Sequence, residues 1–116
     1  MIFRAERKRQ FPRLRAQLAV RYQVRGTPAF NNTLADNISV GGISVVNNAY
    51  VRPATTLNLE INVLSQILNP VGKVVWASPL PHSDRYKLGI EFVDLDPATR
   101  RYLSDYIGLQ QEALTP

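Results

Sequence analysis

The chain has 116 residues, 45% hydrophobic and 20% charged, a length and composition that predict one soluble compact domain. It holds no cysteine and a single histidine, His82, which excludes a disulfide framework, thiol chemistry and a His/Cys zinc site. No apolar run approaches the roughly 18 residues of a membrane span, and residues 1–4 do not begin a secretory signal, so a cytoplasmic address is expected. The net charge of +5 is unevenly spread: residues 1–25 carry eight Arg or Lys against Glu6, net +7, whereas the remainder carries six basic and eight acidic residues, net −2. An anionic partner is expected at that basic end.

In chain order, the first regular element is a long half-buried strand. Leu14, Ala16, Leu18, Val20, Tyr22 and Val24 fall on every second position, with Arg15, Gln17, Arg21 and Gln23 between them. Gly26-Thr27-Pro28 breaks it, and an extended segment over about 30–38 is expected to pair back as a hairpin. A short β-branched run at 43–46 follows Gly41-Gly42 and ends at Asn47-Asn48. Leu57, Leu59, Ile61 and Val63 alternate as a fourth strand, residues 71–77 read as a fifth, and Tyr86, Leu88, Ile90 and Phe92 alternate as a sixth. The period then changes. Asp96 suits an N-cap, Pro97 the first helical position, and Leu103, Tyr106, Ile107 and Gln110 have helical spacing; Gly108 either ends the helix or weakens it. Six strands and one C-terminal helix imply an antiparallel sandwich or barrel.

Catalysis finds little material. Asp94 and Asp96 lie where acids favour a helix N-terminus rather than forming a dyad, and His82 sits in a hairpin loop and is given no role. Two other constellations stand out. The first is Arg9-Gln-Phe-Pro-Arg13 within the wider basic run from Arg7 through Lys8 to Arg15; Pro12 prevents a regular helix, so these arginines belong to an extended arm entering the first strand. Guanidinium groups match phosphate oxygens and the O6/N7 edge of guanine, but a basic cluster alone is more often a solvated arm. The second is Asn37-Ile-Ser39-Val-Gly41-Gly42, where alternation places Asn37 and Ser39 on one face and Ile38 and Val40 toward the core. Its polar groups suit a base edge, and they equally suit an ordinary tight turn.

Together, Arg9-x-x-x-Arg13 followed by Asn37-x-Ser39-x-x-Gly42 resembles the two-part signature of the PilZ family, RxxxR then D/NxSxxG. The resemblance runs over roughly residues 6–107, including Phe11 to Tyr22 at the first strand, Gly72 to Trp76 at a later one and Leu88-Gly-Ile-Glu-Phe92 at the last. It implies an all-β fold, a six-stranded antiparallel split β-barrel with one C-terminal helix, that binds the bacterial second messenger cyclic di-GMP on its outer surface. It also implies that the protein is not an enzyme and needs no other cofactor. Residues 1–13 would form the basic arm and 14–116 the barrel. Carried over residue by residue, Arg9 and Arg13 would contact guanine and phosphate, Asn37 and Ser39 would hydrogen-bond the ligand, and Gly42 would leave it room. Asn37 stands where many members have Asp, removing a carboxylate that accepts guanine's donors strongly.

Lys8, directly before the first arginine, resembles members that take an intercalated pair of ligands; Arg7, Gly41 and Trp76 are further candidate contacts. Alternation with Gly72 and Val74 favours packing for Trp76, as for Tyr22, Tyr86, Phe92 and Tyr106. The expected mechanism is an arm ordered by ligand binding that presents a new surface to an unidentified protein partner. The rivals are a small basic barrel that binds nucleic acid, which needs aromatic side chains on an exposed strand face, and a ligand-free interaction module on the same fold.

Overall fold

The computed structural model describes residues 11–114, with side chains described through residue 112. Arg7, Lys8, Arg9 and most of the expected 1–13 arm lie outside the described residues. The elements are β1 (Leu14–Val24), β2 (Phe30–Ser39), β3 (Gly42–Asn47), β4 (Thr56–Val63), β5 (Gln66–Leu68), β6 (Val71–Pro79), β7 (Tyr86–Asp94) and α1 (Pro97–Leu114). The strands run in the order β1-β2-β3-β7-β6-β4-β5, and β1 also pairs with β4. That last pairing, with Tyr22 opposite Leu59 and Val20 opposite Ile61, closes six strands into an antiparallel barrel and leaves β5 as a short hairpin appended to β4. The expected fold class is the observed one. Strand β5, three residues long with Gln66 and Ile67 exposed, is too short to show a period.

Closure is driven by one-sided strands. Val20 and Tyr22 of β1, Ile43 and Val45 of β3, Leu57, Leu59, Ile61 and Val63 of β4, Val74 of β6, and Leu88 and Ile90 of β7 are buried together in the barrel interior. At roughly 25 cal/mol per Å² of apolar surface, burying each such side chain contributes on the order of 1.5–3 kcal/mol. Two polar groups inside are matched rather than orphaned: the Asn47 Nδ2 donates to the Tyr22 hydroxyl at 2.9 Å and to the Ala49 carbonyl at 2.8 Å.

Helix α1 begins as the sequence predicts. The Asp96 carboxylate accepts from the Thr99 amide at 2.9 Å and from its hydroxyl at 3.0 Å, and the Arg100 amide reaches the Asp96 carbonyl at 2.9 Å. Leu103, Tyr106 and Ile107 are buried against the barrel, and the Tyr102 hydroxyl donates to the Val63 carbonyl at 2.9 Å. Gly108 does not end the helix, which continues to Leu114.

Two irregularities interrupt the alternation and matter for the site. In β2 the register shifts between Ala35 and Asn37, and in β6 between Val74 and Trp76. At each bulge two consecutive side chains, Asp36-Asn37 and Val75-Trp76, lie outside the barrel while the flanking Ala35, Ile38 and Val74 remain buried.

Candidate functional site on the barrel wall

The two bulges flank strands β3 and β7, and three glycines lie at the wall between them. Gly41 and Gly42 close the β2–β3 turn and Gly89 lies at mid-β7. None of the three has positive φ, so their absent side chains serve close approach. A Cβ on Gly41 would sit 2.6 Å from the Phe11 ring, one on Gly42 would collide with the Ile90 carbonyl oxygen, and one on Gly89 would collide with the Trp76 indole. The space beside Gly42 is therefore filled by β7 backbone rather than left for a ligand, although Gly42 still lines the site.

These features frame a concavity of about 380 Å³. Phe11 and Arg13 come from the chain before β1, Ser39, Gly41 and Gly42 from the β2–β3 turn, Val75 and Trp76 from β6, and Gly89, Ile90 and Glu91 from β7. A larger depression of about 680 Å³ lies elsewhere on the wall, over β1, β2 and β4, but none of the motif residues lines it. Its Arg21 is already paired with Glu60, at 3.0 and 3.3 Å, and covers the Phe30 ring at 4.2 Å. The smaller concavity is the candidate site because it brings Arg13, which has no carboxylate partner among the described residues, together with Ser39, Gly41 and Gly42 of the second motif, although Glu91 also lines it.

Arg13 reaches across to β2, where its Nη1 donates to the Asn37 Oδ1. The amide is held from its other end, since the Asn37 Nδ2 donates to the Asp36 Oδ1 at 2.9 Å and the Lys87 Nζ lies 2.8 Å from the Asp36 Oδ2. Because the bulge sets Asp36 beside Asn37, this acid determines which face of the amide meets Arg13. Asn37 thus joins the concavity through Arg13 rather than by lining it. Ser39 is buried, and its hydroxyl accepts from the Gly41 amide at 3.1 Å and donates over a longer 3.5 Å to the Gly42 carbonyl. The turn chemistry that the sequence equally allowed is present. Phe11 lies on Gly41 with the Arg100 guanidinium 5.6 Å from its ring centroid, so the segment entering β1 touches both the turn and α1.

Trp76, expected to pack in the core or at the barrel end and also a candidate contact, packs on the outside of the wall instead. At 39% exposure it lies flat on the outer wall over Gly89, because the β6 bulge reverses the side-chain alternation after Val74. Tyr22 and Tyr106 are buried, and Tyr86 and Phe92 pack against the core, as expected. Sequence reasoning did not find Asp36, Lys87, Phe11 or Glu91. Asp36 next to Asn37 was the one available signal, and its use depends on the bulge. Among the described residues no group of three or more His, Cys, Asp or Glu side chains is placed to hold a metal, and no helix is long and apolar enough to cross a membrane.

A small closed antiparallel barrel with a C-terminal helix and a glycine-floored concavity on its outer wall defines the class of domain. The chain matches the PilZ domain over residues 7–109 and belongs to that family. Its fold is similar to that of the Bacillus subtilis inhibitor of motility MotI/DgrA, with a TM-score of 0.82 and 24% identity over 93% of this chain and 53% of that one. It is also similar to the PilZ domain of Escherichia coli YcgR solved with c-di-GMP, with a TM-score of 0.71, 15% identity, and 91% and 94% coverage of the two chains. The Borreliella burgdorferi PlzA protein in complex with c-di-GMP gives a TM-score of 0.64 and 18% identity over 91% of this chain and 43% of that one. The chain therefore spans about half the length of MotI/DgrA. No curated protein matches its sequence.

Proposed function

We propose that the protein is a receptor domain for cyclic di-GMP, a binding domain rather than an enzyme. The observation that carries this reading is the meeting of both motif halves at one concavity: Arg13 is tied to Asn37 while Ser39, Gly41 and Gly42 form the adjoining turn. In this reading Arg13 meets phosphate or the guanine O6/N7 edge, helped by Arg9 and by Arg7 and Lys8 ahead of it. The second Asn37 Nδ2 hydrogen is donated to the base, the remaining lone pair of Ser39 accepts from it, and exposed Trp76 stacks on a purine face. Lys8 would meet the phosphates of a second, intercalated ligand. Binding orders the arm, and the changed surface is read by a protein partner in the cytoplasm. Solved PilZ proteins containing c-di-GMP support the choice of ligand.

The test is calorimetric titration with cyclic di-GMP. Each lost charge-assisted hydrogen bond is worth roughly 1.5–3 kcal/mol, so replacing Arg9 and Arg13 together by Ala should weaken binding by on the order of a hundredfold or more. Unchanged affinity in that double variant would sink the reading. Salt-sensitive binding to single-stranded DNA or RNA, with no response to cyclic di-GMP, would instead favour the nucleic-acid reading.

A further inference from the structure

Ser44 deepens the receptor reading, on which its assignment rests. It lies between Ile43 and Val45, which point into the barrel at 1% and 0% exposure, so it faces the outer wall. An outward serine is ordinarily wet, yet Ser44 is only 3% exposed. Its Oγ is also the buried side-chain polar atom that finds no hydrogen-bond partner among the described residues. Native proteins rarely leave such a group unmatched, because a hydroxyl removed from water forfeits its hydrogen bonds.

The register shows where this hydroxyl sits. Asn37 pairs with Ser44, Ser44 with Gly89, and Gly89 with Trp76, so the four form one row across β2, β3, β7 and β6. Ser44 therefore lies between the Asn37 amide and the tryptophan. Gly89 offers no side chain to cover it, and the indole of Trp76 rests in the notch that a Gly89 side chain would fill. On this row the side chain beyond Gly89 from Ser44 is therefore a partly exposed ring held by packing.

We propose that Ser44 is a further ligand-contacting residue of this site, covered by the Trp76 indole and uncovered when that indole leaves the Gly89 notch to stack on a purine. A hydroxyl both donates and accepts, so Ser44 can meet either the O6/N7 acceptors or the N1/N2 donors of a guanine edge lying between Asn37 and Trp76. Gly89 is then the residue that allows the closed position and Trp76 the moving part.

Trp76 is the only tryptophan in the chain, so its fluorescence reports on this row alone. Saturation with cyclic di-GMP should change its emission, and Ser44→Ala should bind about tenfold more weakly while unfolding at a higher denaturant concentration, since it removes an unmatched buried hydroxyl. A purely structural serine would raise stability with no loss of affinity. Gly89→Ala should expel the indole, giving a red-shifted, more readily quenched emission without ligand. Wild-type binding with unchanged affinity in Ser44→Ala, or with no change in Trp76 emission at saturation, overturns this inference alone. Failure of the wild-type protein to bind cyclic di-GMP overturns the receptor reading and this inference together. Should Gly89→Ala not fold, the Ser44→Ala affinity and the wild-type emission decide.

Discussion

Single atoms decide what the motif glycines are for. A methyl group on Gly42 would meet the Ile90 carbonyl oxygen, a backbone atom fixed in the β3–β7 ladder, and relief requires separating two strands. A methyl group on Gly89 would meet only the far part of a side chain, which can rotate away. Gly42→Ala should therefore destabilise the fold by roughly 1–3 kcal/mol, the usual range for overpacking a fitted site, measured as a lower midpoint in urea. Gly42 is thus a requirement of the barrel first and a lining of the site second. Asn37 is comparable. Its amide is oriented by Asp36, which is itself paired with Lys87.

Among the elements, β2 and β6 shape the site because they are irregular, and α1 is anchored because its first turn is regular. The Thr99 backbone and side-chain hydrogen bonds hold the Asp96 carboxyl below its ordinary value of 3.8. A carboxylate whose folded pKa is depressed contributes stability that is fully present above the unfolded value and is lost as pH falls through the lower, folded one. Asp96→Ala should therefore lower the thermal midpoint at neutral pH. The gap from wild type should narrow as pH drops below about 4. A gap that does not narrow at all as the pH is lowered through the acid range would show that the carboxylate's charge is not what caps the helix. The cap is also next to the site's scaffold: Arg100, one residue beyond Thr99, faces the Phe11 ring that rests on Gly41.

For the whole molecule, the barrel is closed by β1 pairing with both β2 and β4, and the chain entering β1 carries Arg13 onto the wall. A ligand that clamps this entry to β2 and β7 binds the folded state and not the unfolded one. At a free concentration one hundred times its Kd it should add about 2.7 kcal/mol. For a chain of this size that corresponds to a rise on the order of 10 °C in thermal midpoint, checked by calorimetry with and without cyclic di-GMP. An unchanged midpoint at saturating ligand would contradict binding to the folded barrel. The six barrel strands, their one-sided faces and the helix start were legible in the sequence, because alternation, turn residues and a cap are local signals set by neighbours in the chain, whereas the three-residue β5 was not. Both halves of the binding motif were legible for the same reason, each being a short run of residues of the right chemistry. That the two halves meet was implied by the family resemblance alone; the contact of Arg13 with Asn37, the pairing of Asp36 with Asn37, the outward turn of Trp76 and the burial of Ser44 were not legible. Each depends on a register between strands distant in sequence, and a bulge of one residue reverses the face of every later side chain in its strand while leaving the local pattern unchanged.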